Sequence, residues 1–144
     1  LTKRTPEIVK LRAQLTPSLS SVGGINSCPV TDITTIVFPT SAPPEDVVKV
    51  VEAMKEVVTQ KIPENLRPSY YCLTTPETYP VIEHPDSPTG KAVVNIAVVG
   101  WESRDQHYAI WKTPEFKEVI PPVRALMLPY SPGIGMKHTP FKVL

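Results

Sequence analysis

The period of the apolar positions changes along the chain, and each change marks an element. In residues 5–15, Ile8, Leu11 and Leu15 fall at helical spacing behind Thr5-Pro6-Glu7, which predicts a first helix. After Gly23-Gly24 comes a β-branched and aromatic run over residues 33–38, which predicts a strand. Pro43-Pro44 followed by Glu45-Asp46 opens a helix in which Val47, Val50, Val51, Met54 and Val58 share one face. Lys49, Glu52, Lys55 and Glu56 occupy the other face, so this helix is amphipathic and covers a sheet. Residues 69–73 predict a short strand, and four prolines between 76 and 88 predict a long excursion that leaves His84 exposed. Residues 91–102, rich in valine, predict the longest strand. Ser103-x-x-Gln106 forms a capping box that starts another helix. Pro114 and Pro121-Pro122 are expected to break it into pieces at about 104–112, 115–120 and 123–128. Gly133 and Gly135 precede a last strand through residues 136–143.

From residue 33 the order is strand, helix, strand, strand, helix, strand. That order predicts an α+β, ferredoxin-like βαββαβ unit, an antiparallel sheet with its helices on one face. The other face then needs a cover, and a second copy of the sheet is the economical one, which predicts a homodimeric barrel. The domain is expected to span residues 31–144. Residues 1–30 are either an N-terminal extension or the remnant of a preceding repeat, with a strand near residues 25–30. The second option draws on the echo between Lys3-Arg4-Thr5-Pro6-Glu7-Ile8 and Lys112-Thr113-Pro114-Glu115-Phe116.

Composition narrows the function classes. With 144 residues, 41 % of them hydrophobic and 20 % charged, the chain can bury a core and is not disordered. A formal net charge of +1 provides no basic field for a nucleic-acid backbone. No apolar run approaches the roughly 20 residues of a membrane span, and no secretory signal pattern opens the chain. Two cysteines fit neither a disulfide scaffold nor a zinc site, so a cytoplasmic setting is expected. The start at Leu1 suggests a trimmed or partial product. Prolines, 18 in number, are scattered and punctuate elements rather than build a polyproline tract. No Gly-rich phosphate loop and no G-x-S-x-G elbow is present. Three histidines without ligand spacing do not make a metal site.

Gly100-Trp101-Glu102-Ser103-x-x-x-His107, then Thr113-Pro114-Glu115-Phe116, then Met136-Lys137-His138-x-x-Phe141, resembles the dimeric α+β barrel superfamily. Within it the resemblance is to the antibiotic-biosynthesis-monooxygenase and stress-responsive barrel proteins, especially small fungal ones. It implies a homodimer that holds a small aromatic or polyketide-like ligand and uses no cofactor. The activities implied are monooxygenation, cyclisation or decarboxylation, and some members have no known reaction. In the resemblance His107 points to a pocket between helix and sheet, where a neutral imidazole accepts a phenolic proton. The alternative is a structural histidine bonded to a backbone carbonyl or facing solvent. The plant polyketide cyclase of the family bears a tyrosine and a histidine where this chain has Ile110 and Phe116, which removes that dyad. A haem would need an axial ligand, which His107 or His138 could supply, and nothing else in the sequence supports one.

The remaining candidates follow from strand alternation. His138 shares a face with Met136 and either enters the barrel or packs against a partner. Asn95 and Trp101 share a face of the long strand; an asparagine among valines needs hydrogen-bond partners, supplied by substrate or by a loop backbone. Of Tyr70 and Tyr71, one looks inward and could orient a ligand. Cys72 reads as a small buried hydrophobe. Val93, Ala97, Val99 and Met136 are expected to wall the pocket. Two classes of function follow. One is a cofactor-free enzyme with His107, His138 and Asn95 as catalytic groups, and Trp101, Tyr70, Tyr71 and Met136 binding the substrate. The other is a non-catalytic, ligand-binding barrel.

Overall fold

The computed structural model describes residues 12–18, 28–129 and 136–139. Its strands are β1 (Leu15–Thr16), β2 (Val30–Pro39), β3 (Tyr70–Thr74), β4 (Val81–Glu83), β5 (Lys91–Trp101) and β6 (Met136–Thr139). The helices are α1 (Pro44–Glu56), α2 (Arg104–Ile110) and α3 (Pro114–Leu126). The sheet is antiparallel in the order β1-β3-β5-β2-β6, with β4 paired to the start of β5. The order β6-β2-β5-β3, with α1 between the first two of these strands in sequence and α2–α3 between the last two, is the ferredoxin-like βαββαβ arrangement. Helices and sheet bury one core between them, in which Val47, Val51 and Met54 of α1 meet Phe38, Leu73 and Val99 of the strands.

β2 and β5 pair without a bulge from Val30↔Trp101 to Pro39↔Ala92. Alternation therefore sets Asp32, Thr34, Ile36 and Phe38 on the helix face with Asn95, Ala97, Val99 and Trp101. α1 opens as its sequence demands, with Pro44 in the first turn beside Glu45 and Asp46. It widens into a π-helical turn, Val57–Lys61, which keeps Val57 and Val58 buried. The capping box is reciprocal: Gln106 N donates to Ser103 Oγ (3.0 Å), and Glu102 N donates to Gln106 Oε1 (2.7 Å).

Several expectations need correction. α3 runs unbroken through Pro121 and Pro122 instead of splitting into two pieces. The rings release the carbonyls of Lys117 and Glu118, both exposed residues, and the last turn closes beyond them with Met127 N donating to Val123 O (3.0 Å). The break before Pro114 is present, where Thr113 Oγ1 accepts from Phe116 N. Residues 12–14 are not helical, and Leu15–Thr16 instead add an edge strand to β3. The rest of that expected helix lies outside the described residues, as do residues 25–27 and the end of the last strand. Cys28 and Pro29 are not strand. His84 is 2 % exposed, not solvent-facing. Its turn folds back on itself, with His84 N donating to Gly90 O (2.9 Å) and Asp86 N donating to His84 Nδ1 (3.2 Å). Gly90 supplies the positive φ, 77°, that this turn requires.

The far face of the sheet is partly covered by the chain itself. Cys28, Tyr70, Cys72 and Val98 cluster there with Leu15 and Ile96 packed against them, and both cysteines are free and buried. Ile33, Thr35 and Ile96 remain half-buried. No helix among the described residues is long and apolar enough to cross a membrane.

Candidate active site

Asp32 is a charged residue on the inward face of a central strand, and it is 2 % exposed. The hydroxyl of Thr34, two residues on and so on the same face, reaches both carboxyl oxygens at 3.0 Å. Burial pushes the Asp32 carboxyl up to about 6, an effect the Thr34 hydrogen bond partly offsets.

The Ser103 cap starts α2 one turn before His107, and the helix packs with His107 and Ile110 turned toward the sheet. It is 4 % exposed, and its Nε2 lies 3.4 Å from Asp32 Oδ2. The imidazole stacks on the indole of Trp101, with centroids 4.6 Å apart and planes 11° from parallel. Tyr108 lies parallel at 6.0 Å and Trp111 meets the ring edge-on at 5.5 Å. Aromatic contact on all these sides fixes the ring plane, and the carboxylate fixes which nitrogen faces the sheet.

The pair forms part of the wall of a cavity of about 970 Å³ between helices and sheet. Ile36, Tyr71, Val99 and Trp101 line it from the strands, and Met54, Ile110, Phe116 and Val123 from the helices. Lys117 and Arg124 of α3 line it too and are exposed, so they stand at the mouth while Asp32 and His107 lie inside. Burial, then the nearby carboxylates of Asp32 and Glu52, push the Tyr71 phenol far above its ordinary range. Tyr71 therefore keeps its proton at any physiological pH.

The expected site residues are divided by this geometry. His107, Trp101, Tyr71, Ala97 and Val99 line the cavity. Tyr70 does not: it lies on the opposite face, its ring over Gly100 and its hydroxyl 2.7 Å from Thr31 Oγ1. Strand alternation requires this once Tyr71 points inward. Asn95 shares the helix face with Trp101, as expected, but does not line the cavity. Its amide instead reaches Tyr79 Oη at 3.5 Å, and its Oδ1 is buried without a partner. Val93 packs against the core and is likewise not a wall of the cavity. The side chains of Met136 and His138 lie outside the described residues; in the β2–β6 ladder their backbones stand opposite Thr34 and Asp32.

Asp32 is the candidate residue that sequence reasoning missed. Starting the strand at residue 33 left it in a loop, although it keeps the spacing of Ile36 and Phe38 on the buried face. Among the described residues no three His, Cys, Asp or Glu come together as a metal site.

No family model matches the chain, and no curated protein matches it. A solved structure, that of an antibiotic biosynthesis monooxygenase, is similar at 14 % identity over 80 % of this chain and 98 % of that one, with a TM-score of 0.43. The strand ladders, rather than this distant likeness, establish the ferredoxin-like arrangement.

Proposed function

We propose that the chain is a small enzyme of the dimeric α+β barrel type that moves a proton on an aromatic or polyketide-like substrate without a cofactor. The observation that carries this reading is the buried Asp32–His107 pair at 3.4 Å in the wall of an otherwise apolar, aromatic cavity. Asp32 and His107 take the proton from a phenol or an acidic β-keto carbon as one unit, and Thr34 holds the carboxylate in place. Tyr71, kept protonated, donates to the oxyanion that forms. The resulting phenolate or enolate is the reactive species for oxygenation, cyclisation or decarboxylation. A carboxyl near 6 suits the task, being ionised at neutral pH yet able to accept a proton at little cost. The free cysteines suit a reducing, cytoplasmic compartment.

The test is turnover of anthrones, naphthols and β-keto acids by the purified protein without added cofactor. Asp32→Asn and His107→Ala should each cut the rate by roughly 10²-fold or more with the fold intact. An unchanged rate in either variant overturns the proposal. Tight binding without turnover indicates instead a ligand-binding barrel.

A further inference from the structure

We propose, resting on the proton-transfer reading, that the substrate carries an acid group, and that the cavity takes an aromatic carboxylate with its anionic end held at the mouth by Arg124 and Lys117. Three side chains with formal charge line the cavity among the described residues. Asp32 is buried and paired with His107. Lys117 and Arg124 are exposed, and neither is in an ion pair among the described residues, where the pairs are Lys61–Glu56 and His107–Asp32. The mouth is therefore cationic, while the interior holds a carboxyl that would repel a second one.

Helix geometry makes the two cations a unit. They are seven residues apart on α3, two turns, so they share a face and stand roughly 10 Å apart along the axis. Ile120 and Pro121 line the cavity between them and provide an apolar surface along which a flat ring can enter. Glu118 follows Lys117 by one residue, about 100° round the helix, and does not line the cavity. Exposed at the rim, the two cations can shed solvent onto a carboxylate without the desolvation cost of a buried charge, and the Arg124 fork can hold both its oxygens. The ligand then has one polarity. Its acid end stays at the rim, and its ring lies among Trp101, Ile110 and Phe116, which directs the reacting atom to Asp32 and His107.

The test is calorimetric titration of the full chain with 2-naphthoate and with its neutral analogue 2-naphthalenemethanol, at low salt and neutral pH. The wild type should bind the carboxylate about tenfold more tightly, the lower end of what a charge-assisted hydrogen bond contributes. That preference should shrink as salt is added. Arg124→Gln with Lys117→Gln should abolish it while leaving the affinity for the alcohol unchanged. Equal affinities in the wild type, or a preference that survives both substitutions, overturn the acid-group proposal and leave the aromatic cavity standing. Failure of both compounds to bind overturns the aromatic cavity as well. A preference that holds in a protein without turnover separates the two readings the other way: the docking stands and the proton transfer falls.

Discussion

Replacing Asp32 by asparagine keeps the shape of the side chain and removes its charge. The structure predicts a protein that is more stable at alkaline pH and less active. The carboxyl has an ordinary value of 3.8 in the unfolded chain and is raised to about 6 in the fold by burial. Because the folded value is the higher one, the folded state holds the proton more tightly. The favourable contribution is complete below pH 3.8 and is lost as the pH rises through about 6. Above both values the ionised carboxylate costs the fold about 3 kcal/mol, of which about 2 kcal/mol develops between roughly pH 4.5 and pH 8. The asparagine side chain does not titrate and has no such dependence. Urea melts followed by circular dichroism at those two pH values give the stability difference between the proteins with and without Asp32→Asn. Both proteins carry His107→Gln in this comparison, which removes the titrating neighbour that touches Asp32, and the other carboxylates, common to both, cancel. The difference should move toward the variant by about 2 kcal/mol between the two conditions. A difference that is the same at both pH values would refute the claim that burial holds this carboxyl up. The variant's loss of turnover would then need a cause other than a tuned carboxyl.

Three further outcomes are expected. Gly100→Ala places a Cβ 2.2 Å from the ring of Tyr70, which is itself buried and bonded to Thr31, so the ring cannot yield. Chemical denaturation should show a loss of about 3 kcal/mol, and adding Tyr70→Ala should make the two changes strongly non-additive. Pro122→Ala restores a donor inside α3 and should raise stability by about 2 kcal/mol, read as a higher melting midpoint. Light scattering on a sizing column should report twice the monomer mass at micromolar concentration, through an interface on the order of 2,000 Å² over Ile33, Thr35 and Ile96; a monomer would remove the barrel proposal.

Strand and helix identities were readable because each element carries a period. Val47, Val51 and Met54 declare a helix face, and the valines of β5 declare a buried strand. Ser103 with Gln106 declares a helix start to the residue. That start places His107 one turn into the helix, but its inward direction came from the family resemblance alone, and the packing of α2 on the sheet decides it. What could not be read depends on which of two adjacent residues faces inward. Tyr70 and Tyr71 are equivalent as a pattern until the β3–β5 register sets Tyr70 over Gly100. Asp32 was hidden for a related reason: an acid at the end of an apolar run reads as a turn residue unless the partner strand extends past it, and β5 does. Pro121 and Pro122 misled because a carbonyl that a proline releases can turn to water where it is exposed, so the helix continues at a cost in stability instead of breaking. The carbonyls they release belong to exposed residues.

The parallel contact of Trp101 with His107 also makes the site visible without any substrate. A protonated imidazole takes an electron from an excited indole more readily than a neutral ring does. At a centroid separation of 4.6 Å the two π systems are close enough for that transfer to compete with light emission. The chain has two tryptophans, so a Trp111→Phe protein leaves Trp101 as its single indole emitter. The brightness of that protein reports the charge of the ring stacked on the indole, and following its emission against pH reads that charge with no substrate present.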